Sequence, residues 1–181
     1  MADTRANAEQ TVALLKASDA QGDAVVVFPE LGLTGYTARD LFADGHMLEQ
    51  AELGLGMVVK ASASLKPLAL VGMPLRHDAG VYNVAVAVQG GKVLGVVPKS
   101  FLPTYREFEE ARWFRPGTEV PPGSSVRVLG EMVPFGTDLL FRAGDLVVGV
   151  EICEDLWVQV PPHAKLVGAG ANVICNLSAS N

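Results

Sequence analysis

The sequence predicts an α/β protein in which helices and strands alternate and a mixed sheet lies at the centre. The observations behind it are valine-rich apolar runs, stretches with apolar residues at helical spacing, and a Gly-Gly dipeptide between two strand-like runs. The 181 residues suit one domain with a hydrophobic core. With 49% hydrophobic and 19% charged residues, the composition is typical of a well-buried globular protein.

The first predicted element is a helix over residues 4–21. Asp3 or Thr4 can cap its start, and Gly22 can end it. The run A-V-V-V-F at 24–28 follows and is typical of a buried strand. A second helix is predicted over 47–65, before Pro67. Further strands are predicted at 68–75, 82–89 and 92–98, the last two joined by Gly90-Gly91.

The second half begins with an irregular stretch at 99–125, too long for an ordinary connection and therefore interpreted as functional or lid-like. A strand over 146–152 leads into Cys153. A helix over 161–170 and a last strand over 173–177 complete the predicted series.

Three reactive side chains each follow the end of an apolar strand: Glu30, Lys99 and Cys153. Sites in layered α/β proteins collect at strand ends, so neighbouring strands would bring these three together. A cysteine becomes a nucleophile as the thiolate, which requires a base or a cation nearby. Glu30 can take the thiol proton and return it to the leaving amine, while Lys99 and the backbone N–H of Glu154 stabilise an oxyanion. This set predicts amide hydrolysis through a thioester.

Each of these residues also has an ordinary interpretation, as a cap, a solvated lysine or a small core residue. Cys175, inside N-V-I-C-N-L, fits the description of a core cysteine. Cys153 fits it poorly, because the surrounding sequence E-I-C-E-D places three carboxylates beside it.

Three sequence blocks resemble those of the nitrilase (carbon–nitrogen hydrolase) superfamily, and they occur in the same order. They are F-P-E-L-G-L-T-G-Y at 28–36, P-K-S-F-L-P-T-Y-R-E-F at 98–108 and V-E-I-C-E-D-L-W at 150–157. Two further stretches, Y-R-E-F-E-E-A-R-W-F-R-P-G at 105–117 and P-F-G-T-D-L-L-F at 134–141, are similar to the glutaminase domains that serve glutamine-dependent NAD synthesis.

The resemblance implies an α-β-β-α sandwich, incomplete in this chain, with residues 1–181 as a single glutaminase domain truncated at both ends. It implies hydrolysis of glutamine to glutamate and ammonia. The ammonia would serve a synthetase domain, absent here, that amidates deamido-NAD. No cofactor is expected for the glutaminase reaction, and ATP and Mg are expected for the synthetase domain alone. A homo-oligomer is also expected.

The resemblance assigns Glu30 as the base, Lys99 as the cation and Cys153 as the nucleophile, and it matches Glu107 to an additional glutamate that positions the site. The implied glutamine contacts are Tyr105, Glu154, Trp157 and Ser178. The other charged residues of this stretch are interpreted as a solvated surface: Glu109, Glu110, Arg112 and Arg115.

Charge and composition argue against several other classes. A net charge of −6 without a basic stripe predicts no nucleic-acid partner. No apolar run approaches the roughly 20 residues that span a bilayer, so no membrane association is expected. Two cysteines without clustered histidines predict no metal site, and with the polar N-terminus they favour a reducing, cytoplasmic compartment.

Two alternatives to the glutaminase hypothesis stay open. One is a stand-alone amidase of the same superfamily that acts on another small amide. The other is a catalytically silent fragment or assembly module, which would use its apolar surface for packing alone.

Overall fold

The computed structural model describes residues 2–179. Within them the α-helices are α1 (Thr4–Gln21), α2 (Gly45–Ser62) and α3 (Pro162–Gly168). The Asp3 carboxylate caps α1 by accepting the backbone N–H of Ala6 at 2.9 Å, and Gly22 ends it in the left-handed conformation, as predicted. No helix in this part of the chain is both long and apolar enough to cross a membrane.

The strands form three sheets. The first has the order β1-β2-β3-β4 and is mixed, because β1 runs parallel to β2 and the other pairs are antiparallel. The second is the hairpin β5-β6, and the third has the order β7-β8-β9, with β8 and β9 parallel. The strand bounds are β1 Val25–Val27, β2 Leu68–His77, β3 Gly80–Gln89, β4 Lys92–Pro98, β5 Ser125–Val128, β6 Glu131–Pro134, β7 Leu140–Ala143, β8 Leu146–Ile152 and β9 Val173–Leu177.

The central strands of the first sheet, β2 and β3, are buried on both faces over most of their length. The edge strand β1, predicted to be buried, is only partly buried, and its Val27 is exposed. On β2, Val71 and Met73 face a core shared with Leu15 of α1 and Leu55 of α2. The opposite face contributes to a second core, between this sheet and the third sheet. That core contains Leu68, Leu70, Ala85, Ala87, Val97, Val148, Val150, Ile152, Cys175 and Leu177.

Helix α3 covers the outer face of the third sheet. Leu166 of α3 is buried over Gly149, where a β-carbon would lie 3.1 Å from the leucine. The layers therefore run helix, sheet, sheet, helix, which confirms the α-β-β-α sandwich. The residue pattern alone predicted a single mixed sheet, whereas the structure has two mixed sheets packed face to face.

The predicted elements occur in the predicted order, with shifted ends. Helix α2 begins at Gly45, where the Asp44 carboxylate accepts the N–H of Met47 at 2.9 Å, and it ends at Ser62 rather than near Pro67. Gly90 and Gly91 both have positive φ, as a tight hairpin turn requires. Three short strands, β5, β6 and β7, were not predicted.

Candidate active site

Lys99 lies at the centre of a buried cluster of charged side chains. Its Nζ is 2.7 Å from Oε1 of Glu30 and 2.7 Å from Oε1 of Glu110, and all three side chains are buried almost completely. Burial by itself lowers the pKa of Lys99, but the two carboxylates outweigh it, so the net direction is upward. The ammonium is therefore a fixed positive charge.

Glu30 is held in the loop after β1 by its neighbours on the first sheet. The Asn83 side-chain amide on β3 donates to Oε1 of Glu30 at 2.7 Å. The loop can approach β2 this closely because residue 72 is glycine: a β-carbon there would meet the Pro29 carbonyl oxygen and lie 2.6 Å from the Leu31 nitrogen. Oε2 of Glu30 is buried and accepts no N–H or O–H hydrogen bond among residues 2–179. That oxygen is available to take a proton.

Cys153 sits directly after β8 in a left-handed backbone conformation, with φ +47°. A non-glycine residue rarely adopts this conformation, so the backbone at Cys153 is strained. The backbone N–H of Cys153 donates to Oδ1 of Asn176 on β9 at 3.1 Å. The partly exposed thiol accepts a 3.5 Å hydrogen bond from the Ser178 hydroxyl.

The thiol of Cys153 faces the charged cluster. Burial raises its pKa, the nearby Glu30 carboxylate raises it further, and Ser178 and Lys99 oppose the shift without reversing it. The resting residue is therefore a neutral thiol beside a carboxylate rather than a preformed thiolate. Such a site needs a general base at the moment of attack.

The match of Glu107 to the additional glutamate is not supported and needs correction. The structure leaves the Glu107 side chain exposed and places Glu110 against Lys99 instead. Glu110 begins a short 3-10 turn, Glu110–Arg112, and its Oε1 also accepts the Tyr36 hydroxyl at 2.6 Å. Burial raises the pKa of Glu110, with Lys99 acting in the opposite direction. The interpretation of Glu110 as part of a solvated surface is wrong.

The other predicted site residues, Tyr105, Glu154, Trp157 and Ser178, are all exposed or partly exposed. The Tyr105 hydroxyl donates to Oε2 of Glu154 at 2.8 Å, on the surface. Ser178 contacts the cysteine sulfur directly. Trp157 is 76% exposed, and its ring projects outward without burying the site.

Two buried carboxylates near Cys153 were not selected from the sequence. Asp155 accepts backbone N–H groups, and Glu151 pairs with His163 of α3, the Glu151 Oε2 to His163 Nδ1 distance being 3.0 Å. Both belong to the E-I-C-E-D block, where alternation along β8 sends Glu151 to the outer face of the third sheet. The sequence signal is the high density of carboxylates around Cys153. It indicates a functional site but does not show which of the carboxylates is buried.

Comparison with known proteins identifies relatives over the whole chain. The sequence profile of the carbon–nitrogen hydrolase family matches residues 1–181. Glutamine-dependent NAD(+) synthetase from Mycobacterium tuberculosis is 48% identical over 181 residues, which is 98% of this chain and 26% of the relative. The enzyme of the same name from Thermotoga maritima is 34% identical over 181 residues, covering 99% of this chain and 28% of the relative. The chain thus spans about a quarter of the length of these relatives.

Solved structures show the same fold. A glutamine-dependent NAD(+) synthetase from Cytophaga hutchinsonii superposes with a TM-score of 0.82 at 26% identity, covering 99% of this chain and 28% of that one. An amidase of the nitrilase superfamily from Nesterenkonia AN1 superposes with a TM-score of 0.74 at 17% identity, covering 99% of this chain and 61% of that one. The second likeness concerns the fold alone.

Proposed function

The chain belongs to the carbon–nitrogen hydrolase family, and we propose that it hydrolyses the side-chain amide of glutamine to glutamate and ammonia. The observation that carries the proposal is the meeting of Glu30, Lys99 and the Cys153 thiol, residues far apart in the chain, at the ends of strands in two packed sheets. The names of the relatives support glutamine as the substrate.

The reaction begins with general-base attack. Glu30 takes the proton of the Cys153 thiol as the sulfur attacks the amide carbon, because the raised pKa of the thiol keeps that proton in place until then. The oxyanion of the tetrahedral intermediate is stabilised by the Lys99 ammonium and the backbone N–H of Glu154. Glu30 then gives its proton to the departing nitrogen, which leaves as ammonia.

The second half of the reaction removes the acyl group. The product of the first half is a thioester between Cys153 and the glutamyl group. Glu30, again ionised, takes a proton from water as the water oxygen attacks the thioester carbon. Collapse of this intermediate breaks the carbon–sulfur bond and releases glutamate, and Glu30 returns its proton to the sulfur, which restores the thiol. No metal or cofactor enters either half.

Glutamine itself is proposed to bind beside the Cys153 thiol. Glu154 offers a carboxylate for the α-ammonium group, and Tyr105, Trp157 and Ser178 are the other proposed contacts. The ammonia is proposed to pass to an ATP-using synthetase domain that amidates deamido-NAD. The relatives are named for glutamine-dependent synthesis of NAD(+), which supports this proposal. Mg and ATP would act there and not at Cys153.

The test is ammonia release from glutamine by the purified protein. Cys153→Ala removes the nucleophile and should lower the rate at least about 10⁴-fold, since no other group forms the thioester. Cys175→Ala, in the core between the sheets, is the matched control and should keep the rate per folded molecule.

Retained activity in Cys153→Ala would remove that residue from the reaction. A panel of simple aliphatic amides, run beside glutamine, separates the glutaminase from an amidase of other specificity. Activity on the aliphatic amides without activity on glutamine would favour the stand-alone amidase. A wild-type protein inactive toward every amide would favour the silent assembly module.

A further inference from the structure

Asp155 is a buried carboxylate for which the proposed reaction has no use. It lies two residues after Cys153, within the 3-10 turn Cys153–Leu156, and is 1% exposed. Its hydrogen bonds reach neither Glu30 nor Lys99. Its position and partners therefore require a separate explanation.

The partners of Asp155 are all backbone N–H groups. Oδ1 accepts from Phe101 at 2.8 Å and from Ser100 at 3.1 Å, and Oδ2 accepts from Ile152 at 3.0 Å. A carboxylate that accepts several N–H groups makes charge-assisted hydrogen bonds, which are stronger than neutral ones. A set of donors without an acceptor matches the ionised form of the side chain.

These donors adjoin the two groups that must meet for catalysis. Ser100 directly follows Lys99, and Ile152 directly precedes Cys153. Lys99 follows β4 of the first sheet, and Cys153 follows β8 of the third sheet. No backbone ladder pairs β4 with β8 within residues 2–179. The Asp155 side chain thus joins the ends of two strands that belong to different sheets.

We propose that Asp155 is a positioning residue that fixes the Lys99 ammonium relative to the Cys153 sulfur. The proposal rests on the function proposed above, in which these two groups act on the same oxyanion and thiolate. Oxyanion stabilisation depends on donors held within tenths of an ångström of the reacting atoms. The Asp155 carboxylate accepts hydrogen bonds from the backbone next to Lys99 and from the backbone next to Cys153, which supplies that restraint.

The energetics of Asp155 agree with a role in positioning rather than in stability. Burial raises its pKa to about 6, with the N–H hydrogen bonds opposing the shift without cancelling it. The native state therefore favours the protonated side chain more than the unfolded chain does. As the pH rises from the ordinary pKa of aspartate to about 6 and the side chain ionises, the free energy of unfolding falls. A buried charge that reduces stability at neutral pH is characteristic of a functional residue.

The experiment compares Asp155→Asn with Asp145→Asn, the same substitution at an exposed turn, both in a Cys175→Ala background that leaves one thiol. The readouts are kcat and KM for glutamine, and the pH dependence of Cys153 alkylation by iodoacetamide. For Asp155→Asn we expect kcat per folded molecule to fall about 100-fold with KM within about threefold.

The alkylation measurement reports on Lys99 directly, because Lys99 lowers the pKa of the Cys153 thiol. If Asp155→Asn lets Lys99 and the residues after it move away from Cys153, the pKa of the thiol should rise by about one unit. Alkylation at a given pH should then be about tenfold slower. Asp145→Asn should match the background protein. A kcat per folded molecule equal to that of the background, or a thiol pKa that is unchanged or lowered, overturns the proposal.

Two further measurements cover the remaining outcomes. If Asp155→Asn does not fold, Asp155→Glu keeps the charge while moving the carboxylate by one methylene, and the same loss is expected. If neither variant folds, hydrogen exchange of the Ser100 and Phe101 amides in the wild type decides. Slow exchange supports persistent hydrogen bonds to Asp155, and rapid exchange of both amides overturns the proposal. If the wild type releases no ammonia from glutamine, the function fails, yet the alkylation shift still tests the positioning.

Discussion

At the scale of single residues, the site depends on which carboxylates reach Lys99. Glu30 was placed correctly beside the lysine, because the chain leaving β1 stays close to β2, where the Asn83 amide and Lys99 meet the carboxylate. The second carboxylate was assigned to Glu107, but three glutamates occur at 107, 109 and 110, and only the backbone path decides which one points inward. Arg106 has φ +53°, and the Glu110 N–H donates to the Pro103 carbonyl at 3.1 Å, in the turn after which Glu110 is buried. No sequence period predicts such a turn.

Glu110→Gln tests this assignment. The substitution keeps the size of the side chain but removes a negative charge that raises the pKa of Lys99 and balances its ammonium. We expect kcat for ammonia release to fall about 10- to 100-fold, because Lys99 is released from one of its two anchors. The kinetics should be measured together with thermal unfolding, so that activity is compared per folded molecule.

The control is Glu107→Gln, the same substitution three residues earlier. Since the Glu107 side chain is exposed, activity should stay within about twofold of the wild type. If Glu107→Gln is the more damaging of the two, the position drawn from the resemblance is right and the interpretation of Glu110 is wrong.

At the scale of elements, strand ends and the glycines beside them set the positions of the reactive groups. Strands β4, β8 and β9 were predicted with the observed bounds because each is dominated by valine, leucine and isoleucine and is bounded by charged, polar or reactive residues. Strands β5 and β6 were missed because each has only four residues, of which β5 buries two in alternation and β6 buries only Val133. A pattern that short does not differ from a polar loop.

Gly72→Ala tests how closely β2 must approach the Glu30 loop. The added methyl group would overlap the Pro29 carbonyl oxygen, which belongs to backbone and cannot swing aside. We expect the free energy of unfolding to fall by about 1–3 kcal/mol and kcat to fall at least about tenfold as the loop and Glu30 move. Denaturant unfolding and the ammonia assay measure the two effects.

Gly45→Ala is the matched control, since Gly45 begins α2 with an ordinary φ and no atom lies within contact distance of an added β-carbon. Its stability should equal or exceed that of the wild type, because alanine favours the helix. A Gly72→Ala protein as stable and as active as Gly45→Ala would show that the loop has room to shift and that Glu30 is not held by this approach.

At the scale of the whole molecule, two sheets packed face to face bring the reactive residues together. The apolar runs predicted strands buried on both faces, but they do not reveal what covers each face. Leu68 and Leu70 point toward the third sheet, while their neighbours Ala69 and Val71 point toward the helices. A second sheet rather than a helix layer follows from pairings between distant segments, which local patterns do not encode.

The layered arrangement also explains why the site is divided between the sheets. Glu30 and Lys99 follow strands of the first sheet, and Cys153 follows a strand of the third. Packing of the two apolar faces brings these strand ends close together. Val97, near the end of β4, and Ile152, at the end of β8, lie in the same core. The charge cluster and the nucleophile are thus assembled by hydrophobic packing that neither sheet provides alone.

The most direct test of this account is labelling with an electrophilic glutamine analogue, 6-diazo-5-oxo-L-norleucine, followed by peptide mass mapping. The account predicts modification of Cys153 with none at Cys175, because only the thiol that faces Glu30 and Lys99 is activated. It also predicts at least about tenfold slower labelling in Glu30→Gln and Lys99→Met. Equal labelling of both cysteines, or labelling of Cys153 at an unchanged rate in those two variants, would contradict it.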